Sequence, residues 1–196
     1  MMNSNVLADA IGPREGTALR IKQVVLVVLG IVALAVAAKI KVPMWPVPIT
    51  MGTFAVLTIG TAFGARLGLV TMLGYLLIGA LGFDVFAGSS AEKFGLTYMM
   101  GGTGGYLVGY LLATVLLGVL ASRGWDRSVG KMVLALVLAN VVIYVPGLLW
   151  LGQLYGWDKP ILEWGLTPFL LGDAIKLGLA ALLIPSLWKL IGDART

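Results

Sequence analysis

Six long apolar segments dominate the chain, separated by stretches rich in glycine, proline and charge. They lie at about 21–42, 50–65, 67–83, 104–122, 131–151 and 166–190. Most of them approach the roughly 20 residues that a helix needs to cross a bilayer. Each is continuously apolar, whereas the strands of a membrane β-barrel alternate apolar and polar residues over about ten positions. The pattern therefore predicts an all-α integral membrane protein, built as a bundle of six transmembrane helices.

The composition agrees with a membrane protein and removes several kinds of chemistry. The 196 residues are 59% hydrophobic and 12% charged, against roughly 45–50% apolar and about 25% charged in soluble domains. Mean hydropathy is +0.98. Cysteine and histidine are both absent, which excludes disulfides, thiolate nucleophiles, the usual zinc sites and imidazole acid–base catalysis.

The basic residues between the apolar segments predict the orientation. In the arrangement with six spans, nine basic residues fall on one side of the membrane and four on the other. The side richer in Lys and Arg is normally cytoplasmic, so we expect both termini inside. The richer side holds Arg14, Arg20, Lys22, Arg66, Arg123, Arg127, Lys131, Lys189 and Arg195, and the other holds Lys39, Lys41, Lys93 and Lys159, offset by Asp84, Glu92, Asp158 and Glu163.

The first 20 residues are mainly polar. We expect residues 1–20 to form a cytoplasmic N-terminal segment and residues 21–196 to form a single membrane domain. Arg20 and Lys22, followed by an apolar stretch and the small residues "AVAA", also resemble a cleaved signal peptide. Cleavage would leave only five spans, so an uncleaved first helix is the better interpretation.

Two opposite charges interrupt the last apolar segment. Asp173 and Lys176 are three residues apart and therefore share a helix face. Since charges inside a membrane helix are costly and usually functional, two interpretations are open. The pair either neutralises itself and bonds neighbouring helices, or it forms the polar end of a ligand cavity. Its position, about two turns below the predicted outer end, favours a pocket that opens outward.

Three further stretches hold candidate ligand contacts. "KVPMWPVPITMGTF" carries Trp45 among three prolines and is either a membrane-interface anchor or a stiff cap over a site. "GGTGGYLVGY" carries Thr103 and Tyr106 but lacks the Lys-Ser/Thr ending of a nucleotide loop. Its glycines instead allow close helix packing and leave room for a ligand beside Tyr106 and Tyr110. "FDVFAGSSAEKFG", with Phe86 and Lys93, is either an ordinary exposed loop or a lid.

Two more features lie within predicted helices. Asn140, in "LANVVIY", either forms a hydrogen bond between helices or contacts a ligand. Ala33 and Ala37 are small residues four positions apart, a spacing that lets another helix approach closely. They indicate either internal packing or a docking face for a separate membrane subunit.

Together these stretches resemble a known family. The sequences "PVPITMGTFAVL", "GYLLIGALGFDVFAGSS", "GGTGGYLVGYLLA", "RGWDRS", "NVVIYVPGLLWL" and "PFLLGDAIKLGLAALLIP" occur in this order. Over about residues 24–190 they closely resemble the biotin-transporter family BioY, the substrate-binding S components of energy-coupling-factor transporters. The resemblance implies a six-helix protein of the bacterial cytoplasmic membrane that takes up biotin. It implies no enzymatic activity and no cofactor, and partnership with a transmembrane T component and two cytoplasmic ATPases.

The resemblance also implies roles for individual residues. The family's Asp-x-x-Lys motif corresponds here to Asp173 and Lys176, and its Thr-Gly-Gly-Tyr motif to Thr103, Gly104, Gly105 and Tyr106. Its helical Asn corresponds to Asn140, and its small-residue face to Ala33 and Ala37. The chain departs from the pattern at two positions. Gly52 stands where the family usually has Gln, and Gly102 where it has Pro.

Biotin also suits these residues chemically. It has a compact apolar bicycle, a ureido group with donors and an acceptor, and an anionic tail. Such a ligand requires aromatic walls, an acceptor such as Asp173 and one cation. The sequence leaves open whether Lys176 or Lys93 meets the carboxylate. The alternatives are another vitamin, a purely structural subunit, and an intramembrane enzyme with Asp173 as base, for which the spans offer no second acid.

Overall fold

The computed structural model describes residues 6–88 and 94–193 and consists mainly of α-helices. Within this part of the chain, five regions are long and apolar enough to cross a membrane, namely Gly16–Lys39, Gly52–Ala80, Gly104–Ser122, Val129–Tyr155 and Ile161–Gly192. The all-α membrane bundle predicted from the hydropathy pattern is therefore confirmed.

The helices are labelled in chain order. They are α1 (Leu7–Ala10), α2 (Gly16–Lys39), α3 (Gly52–Ala80), α4 (Gly95–Met99), α5 (Gly104–Ser122), α6 (Val129–Tyr155), α7 (Ile161–Gly165) and α8 (Leu170–Asp193). Short 3-10 helices at Trp125–Arg127 and Thr167–Phe169 precede α6 and α8. Strands β1 (Lys41–Val42) and β2 (Ile49–Thr50) form an antiparallel hairpin in which Lys41 pairs with Thr50.

A sharp break at Gly64 divides α3 into two arms. Its φ of 78° and ψ of 172° are readily adopted by glycine, which has no Cβ to clash. A Cβ built on Gly68 would lie 3.6 Å from the Cα of Gly60, although eight residues of straight helix span about 12 Å. Residues 52–63 and 65–80 therefore fold back on each other as a hairpin. The total of six spans and the cytoplasmic placement of both termini stay predictions.

Close packing against α5 and α1 supports this turn. A Cβ on Gly118 of α5 would lie 2.0 Å from the backbone nitrogen of Ala65, so a side chain there would separate the two helices. Val6 is buried beside Gly64, and Leu7 belongs to the apolar core. The first long helix begins at Gly16 rather than at residue 21. The division into a cytoplasmic segment and a membrane domain stays a prediction.

Contacts between distant residues define two ends of the bundle. At the loop end, which carries residues 40–51, 81–88, 94–103 and 156–169, Trp45 packs on Trp164, and Trp150 donates a hydrogen bond to the Gly101 carbonyl. The opposite end, called the turn end, carries the turn at Gly64 and residues 123–128. There Trp188 of α8 donates a hydrogen bond to Asp126. The segments predicted to face outside thus lie together.

The buried apolar side chains form two clusters. One contains residues such as Leu117, Leu136 and Ile184, from α5, α6 and α8. The other includes Leu34 of α2 and Met72 of α3. Both clusters approach the loop end, and the space between them there forms the candidate site.

Candidate functional site

A cavity lies between the two clusters near the loop end. Its walls come from α2, the β-hairpin, α3, residues 86–87, α4, α5, α6 and the start of α8. Its empty space is about 700 Å³, including the part open to solvent. The lining is mainly aromatic and aliphatic, with a few hydroxyls and one carboxylate among the described residues, as is typical of small-molecule sites. It comprises Leu34, Ala38, Val47, Pro48, Thr50, Gly52, Thr53, Tyr75, Phe86, Ala87, Tyr98, Thr103, Tyr106, Leu107, Tyr110, Ile143, Tyr144, Phe169 and Asp173.

Tyrosines supply much of this wall. Five of the six in the chain line the cavity, namely Tyr75, Tyr98, Tyr106, Tyr110 and Tyr144. Tyr106 donates a hydrogen bond of 2.7 Å to the carbonyl of Gly165, which ties the wall to α7. Phe86 stacks on Tyr98 with ring centroids 5.0 Å apart. The arrangement gives flat apolar faces with hydroxyl groups at their edges.

Asp173 supplies the carboxylate and is held from two sides. Nζ of Lys176 lies 2.8 Å from Oδ1, and the hydroxyl of Tyr144 donates a hydrogen bond to Oδ2. Asp173 and Lys176 are only 7% and 5% exposed. Buried charges are tolerated when they are paired and hydrogen-bonded, which explains how α8 carries both. Each carboxylate oxygen has two lone pairs, so Asp173 can still accept a bond from a ligand.

Asn140 and Lys176 lie behind this wall rather than in it. Asn140 precedes Tyr144 by four residues in α6, and Lys176 follows Asp173 by three residues in α8. Both are therefore one helical turn further from the loop end. Oδ1 of Asn140 is buried and, in the described part of the chain, accepts no hydrogen bond.

The predicted site residues separate into groups. Phe86, Thr103, Tyr106 and Asp173 line the same cavity. Trp45 is exposed at the loop end, where its ring contacts those of Tyr155 and Trp164 at 5.3 and 5.0 Å. Lys93 lies outside the residues that the structure describes.

Sequence reasoning missed Tyr144 and the threonines beside the β-hairpin. Tyr144 follows Asn140 by four residues, so the spacing indicated a shared helix face. Thr50 and Thr53 flank Gly52 and line the cavity, and the Thr53 hydroxyl lies 3.4 Å from that of Tyr110. A single hydroxyl in an apolar stretch changes hydropathy little, which is why these residues did not stand out.

The fold and the cavity define a membrane protein of several spans with an internal cavity lined mainly by aromatic and aliphatic side chains. Residues 9–193 match the family model described as the BioY family. The chain belongs to the BioY family. It is 34% identical over 165 residues to the probable biotin transporter BioY of Pyrococcus horikoshii, with 84% of this chain and 95% of that relative covered. It is 33% identical over 157 residues to the biotin transporter BioY of Thermotoga maritima, with 80% and 90% covered.

A solved structure agrees with the architecture. The crystal structure of the S-component for biotin from an ECF-type ABC transporter superposes with a TM-score of 0.71 at 20% sequence identity. The match covers 89% of this chain and 95% of the other. It shows an S-component type of fold. Family membership confirms the resemblance seen in the sequence motifs and the expectation of a transport protein that is not an enzyme.

Proposed function

We propose that this chain binds biotin in the cavity and takes it up across the bacterial cytoplasmic membrane as the substrate-binding subunit of a vitamin transporter. The observation that carries the proposal is the pairing of an aromatic cavity with a buried Asp173–Lys176–Tyr144 cluster, in a member of a family whose curated relatives are named biotin transporters.

The polar groups are distributed as biotin would require. The ureido ring would lie deepest, where Asp173 accepts a hydrogen bond from one N–H group. Oδ1 of Asn140 is a buried acceptor with no donor among the described residues, one helical turn behind the cavity wall. It would accept a hydrogen bond from the second N–H group of a ureido ring inserted to that depth. Leaving such an oxygen unsatisfied is costly, which favours a donor from the ligand. Tyr144 and Lys176 would hold the Asp173 carboxylate in its orientation.

The remaining predicted residues would hold the rest of the ligand. The fused rings would lie against Phe86 and Tyr106, with Thr103 offering a hydroxyl. The carboxylate tail would then point toward the loop end, near Trp45. The sequence pattern predicts Lys93 on the outer side of the membrane. Lys93 is the candidate cation for the tail, because Lys176 already pairs with Asp173.

A binding titration with matched ligands tests this proposal. Purified protein is titrated with biotin and a panel of other vitamins, and tryptophan fluorescence is read, since Trp45 and Trp164 lie at the loop end. We expect saturable binding of biotin alone. Biotin methyl ester, in which a neutral methoxy group replaces the anionic oxygen, should bind more weakly and report on the tail. Saturable binding of a different vitamin, or of none, would overturn the assignment.

The proposed partners are a transmembrane T component and two cytoplasmic ATPases. The docking face would be α2, because only 17% of its apolar window is buried, against 61% for α5. Ala33 is exposed on this helix, whereas Ala37 is half-buried and packs against the core. Ala33→Trp should therefore abolish assembly and leave biotin affinity unchanged. Val141→Trp, at an exposed position of α6, is the matched control, and equal loss of assembly in both variants would contradict the assignment to α2.

The proposal requires the loop end to face outward. The chain contains no cysteine, so single cysteines report on sidedness directly. Ser122→Cys, beside the turn end, and Asp158→Cys, at the loop end, should react with an impermeant maleimide from opposite sides. Reaction of Ser122→Cys from outside would contradict the proposed orientation.

A further inference from the structure

The last residue of α2 contacts a short segment that follows α3. Nζ of Lys39 lies 2.5 Å from Oδ1 of Asp84 and 2.7 Å from the carbonyl oxygen of Phe86. These partners are 45 and 47 residues further along the chain. The contacts therefore join α2 to a segment that belongs to a different part of the fold.

A second lysine contacts the next residues of the same segment. Lys41, in strand β1, donates hydrogen bonds to the carbonyl groups of Ala87 and Gly88, the second at 2.6 Å. Residues 84–88 have no helix or strand of their own, so these carbonyls need other donors. A lysine ammonium carries three donors and can serve two carbonyls at once.

The segment that both lysines hold is part of the cavity wall. Phe86 and Ala87 line the cavity and are almost fully buried. The Phe86 ring lies edge-on to Tyr75 with centroids 5.3 Å apart, and it covers Gly79, where an added Cβ would collide with it at 2.1 Å. On the other side, β1 pairs with β2, whose Thr50 also lines the cavity.

We infer that Lys39 and Lys41 form a clasp that holds residues 84–88 closed as one wall of the cavity and thereby slows ligand exchange. Each contact is partly exposed, and an exposed ion pair alone contributes little. The effect comes from two amines acting on one segment of five residues, so that residues 84–88 can leave the cavity only when both are released. The ligand's identity rests on the proposed function, whereas the clasp itself does not.

A cysteine placed in the wall tests the clasp without any ligand. Ala87→Cys is introduced into the otherwise cysteine-free chain, where the buried position should react slowly with a maleimide. Adding Lys39→Met and Lys41→Met should speed the reaction about three- to tenfold, as expected from the loss of a few partly exposed hydrogen bonds. Lys159→Met is the control, because Lys159 forms an exposed ion pair with Asp158 at the same end, at 2.9 Å, away from the cavity. An unchanged rate in the lysine variant, with the parental melting temperature, would overturn the clasp.

Ligand release separates the clasp from direct contact with biotin. In the Lys39→Met, Lys41→Met variant, biotin and the uncharged biotin amide should both dissociate faster, and by a similar factor. Faster release of biotin alone would mean that the lysines bind its carboxylate, and would overturn the clasp. If the parental protein binds no biotin, the proposed function fails, while the cysteine reaction still decides whether the lysines hold the segment.

Discussion

Two of the lysine–aspartate pairs in the described part of the chain lie in contrasting surroundings. Lys176 and Asp173 lie 2.8 Å apart with side chains 6% and 10% exposed. Lys39 and Asp84 lie 2.5 Å apart with side chains 39% and 81% exposed. The two pairs have similar geometry, yet water screens only the second. Exposed pairs contribute about 0–1 kcal/mol, whereas a buried pair must offset the loss of hydration of both charges.

The difference shows why each pair is where it is. A buried pair is weak evidence for stability, since apolar residues of the same shape often serve as well. Its value here lies in placing a paired carboxylate, a hydrogen-bond acceptor, in the wall of an apolar cavity. The exposed pair contributes little by itself, and its value lies in which segments it joins. Five predictions test and extend this contrast, from the largest expected effect to the smallest.

Breaking the buried pair should have the largest effect. Asp173→Asn or Lys176→Met leaves one charge without its partner in a poorly hydrated site, a change that costs about 3–5 kcal/mol in typical proteins. We expect biotin affinity to fall at least about tenfold, which corresponds to about 1.4 kcal/mol, together with a lower melting temperature. Equilibrium titration and thermal unfolding of the same samples measure both.

The double variant distinguishes a ligand site from a structural ion pair. Asp173→Asn combined with Lys176→Met removes the unpaired charge, so its loss of stability should be smaller than the sum of the single losses. Biotin affinity should stay low, because the acceptor is gone. If both single variants melt earlier but the folded protein binds biotin as before, the pair is structural and the proposed site is wrong.

The sequence reveals the two pairs unequally. Asp173 and Lys176 stand out because charges are rare in an apolar run, and their spacing of three residues already predicts a contact. Lys39 is only one basic residue near a loop, and its partners are 45 and 47 residues away. Local patterns predict contacts within one helix, whereas contacts between segments depend on how the helices pack.

The fold shows the same limit at Gly64. The apolar segments 50–65 and 67–83 predicted a break at Arg66, two residues from the observed one, but 27 glycines are spread over the chain, so no local signal distinguishes Gly64 as the residue at which α3 reverses. The exact position of the break follows from packing against Gly118 and Val6. The helix ends of α5, in contrast, match the predicted segment 104–122, because glycine and arginine bound a uniformly apolar stretch.

Removing the tyrosine that contacts the buried pair should have a smaller effect. Tyr144→Phe keeps the ring and deletes the donor to Asp173, and a typical hydrogen bond contributes about 0.5–1.5 kcal/mol net. We expect biotin affinity to fall up to about tenfold. Tyr155→Phe, in the same helix but outside the cavity lining, should change nothing. If Tyr144→Phe lowers biotin affinity by the same factor in the Asp173→Asn background as in the parent, Tyr144 does not act through Asp173.

A third aspartate shows what burial does without a neighbouring lysine. Asp126 is fully buried at the turn end, where Trp188 donates a hydrogen bond of 2.5 Å to Oδ2. Burial raises the pKa of the Asp126 carboxyl, and the Trp188 hydrogen bond and the Arg127 charge oppose this only in part. The folded state therefore favours the protonated form, so the contribution of Asp126 to stability should be largest at low pH and fall as pH rises from the ordinary value of 3.8 through the raised pKa.

Asp126→Asn should remove this pH dependence. The amide keeps an acceptor for Trp188 and cannot ionise, so the melting temperature of the variant relative to the parent should rise as pH increases from the ordinary pKa of 3.8 through the raised pKa. Biotin affinity should not change, since Asp126 lies at the end opposite the cavity. A variant that loses stability relative to the parent as pH rises would show that the ionised carboxylate is favoured.

Neutralising the exposed pair should have the smallest effect on stability. Asp84→Asn removes the ion pair at the rim, while Lys39 keeps its bond to the Phe86 carbonyl. The free energy of unfolding should change by less than about 1 kcal/mol. This small difference should shrink further at high salt, because the screening length is about 8 Å at physiological ionic strength and shorter above it.

The melting temperature of Lys176→Met, in contrast, should respond little to salt, since its unpaired Asp173 lies away from the counter-ions. Thermal unfolding of both variants at low and high salt measures the contrast. A loss in Asp84→Asn as large as that in Asp173→Asn would mean that exposure does not separate the two pairs, and that residues 84–88 hold the whole bundle together rather than one wall of its cavity.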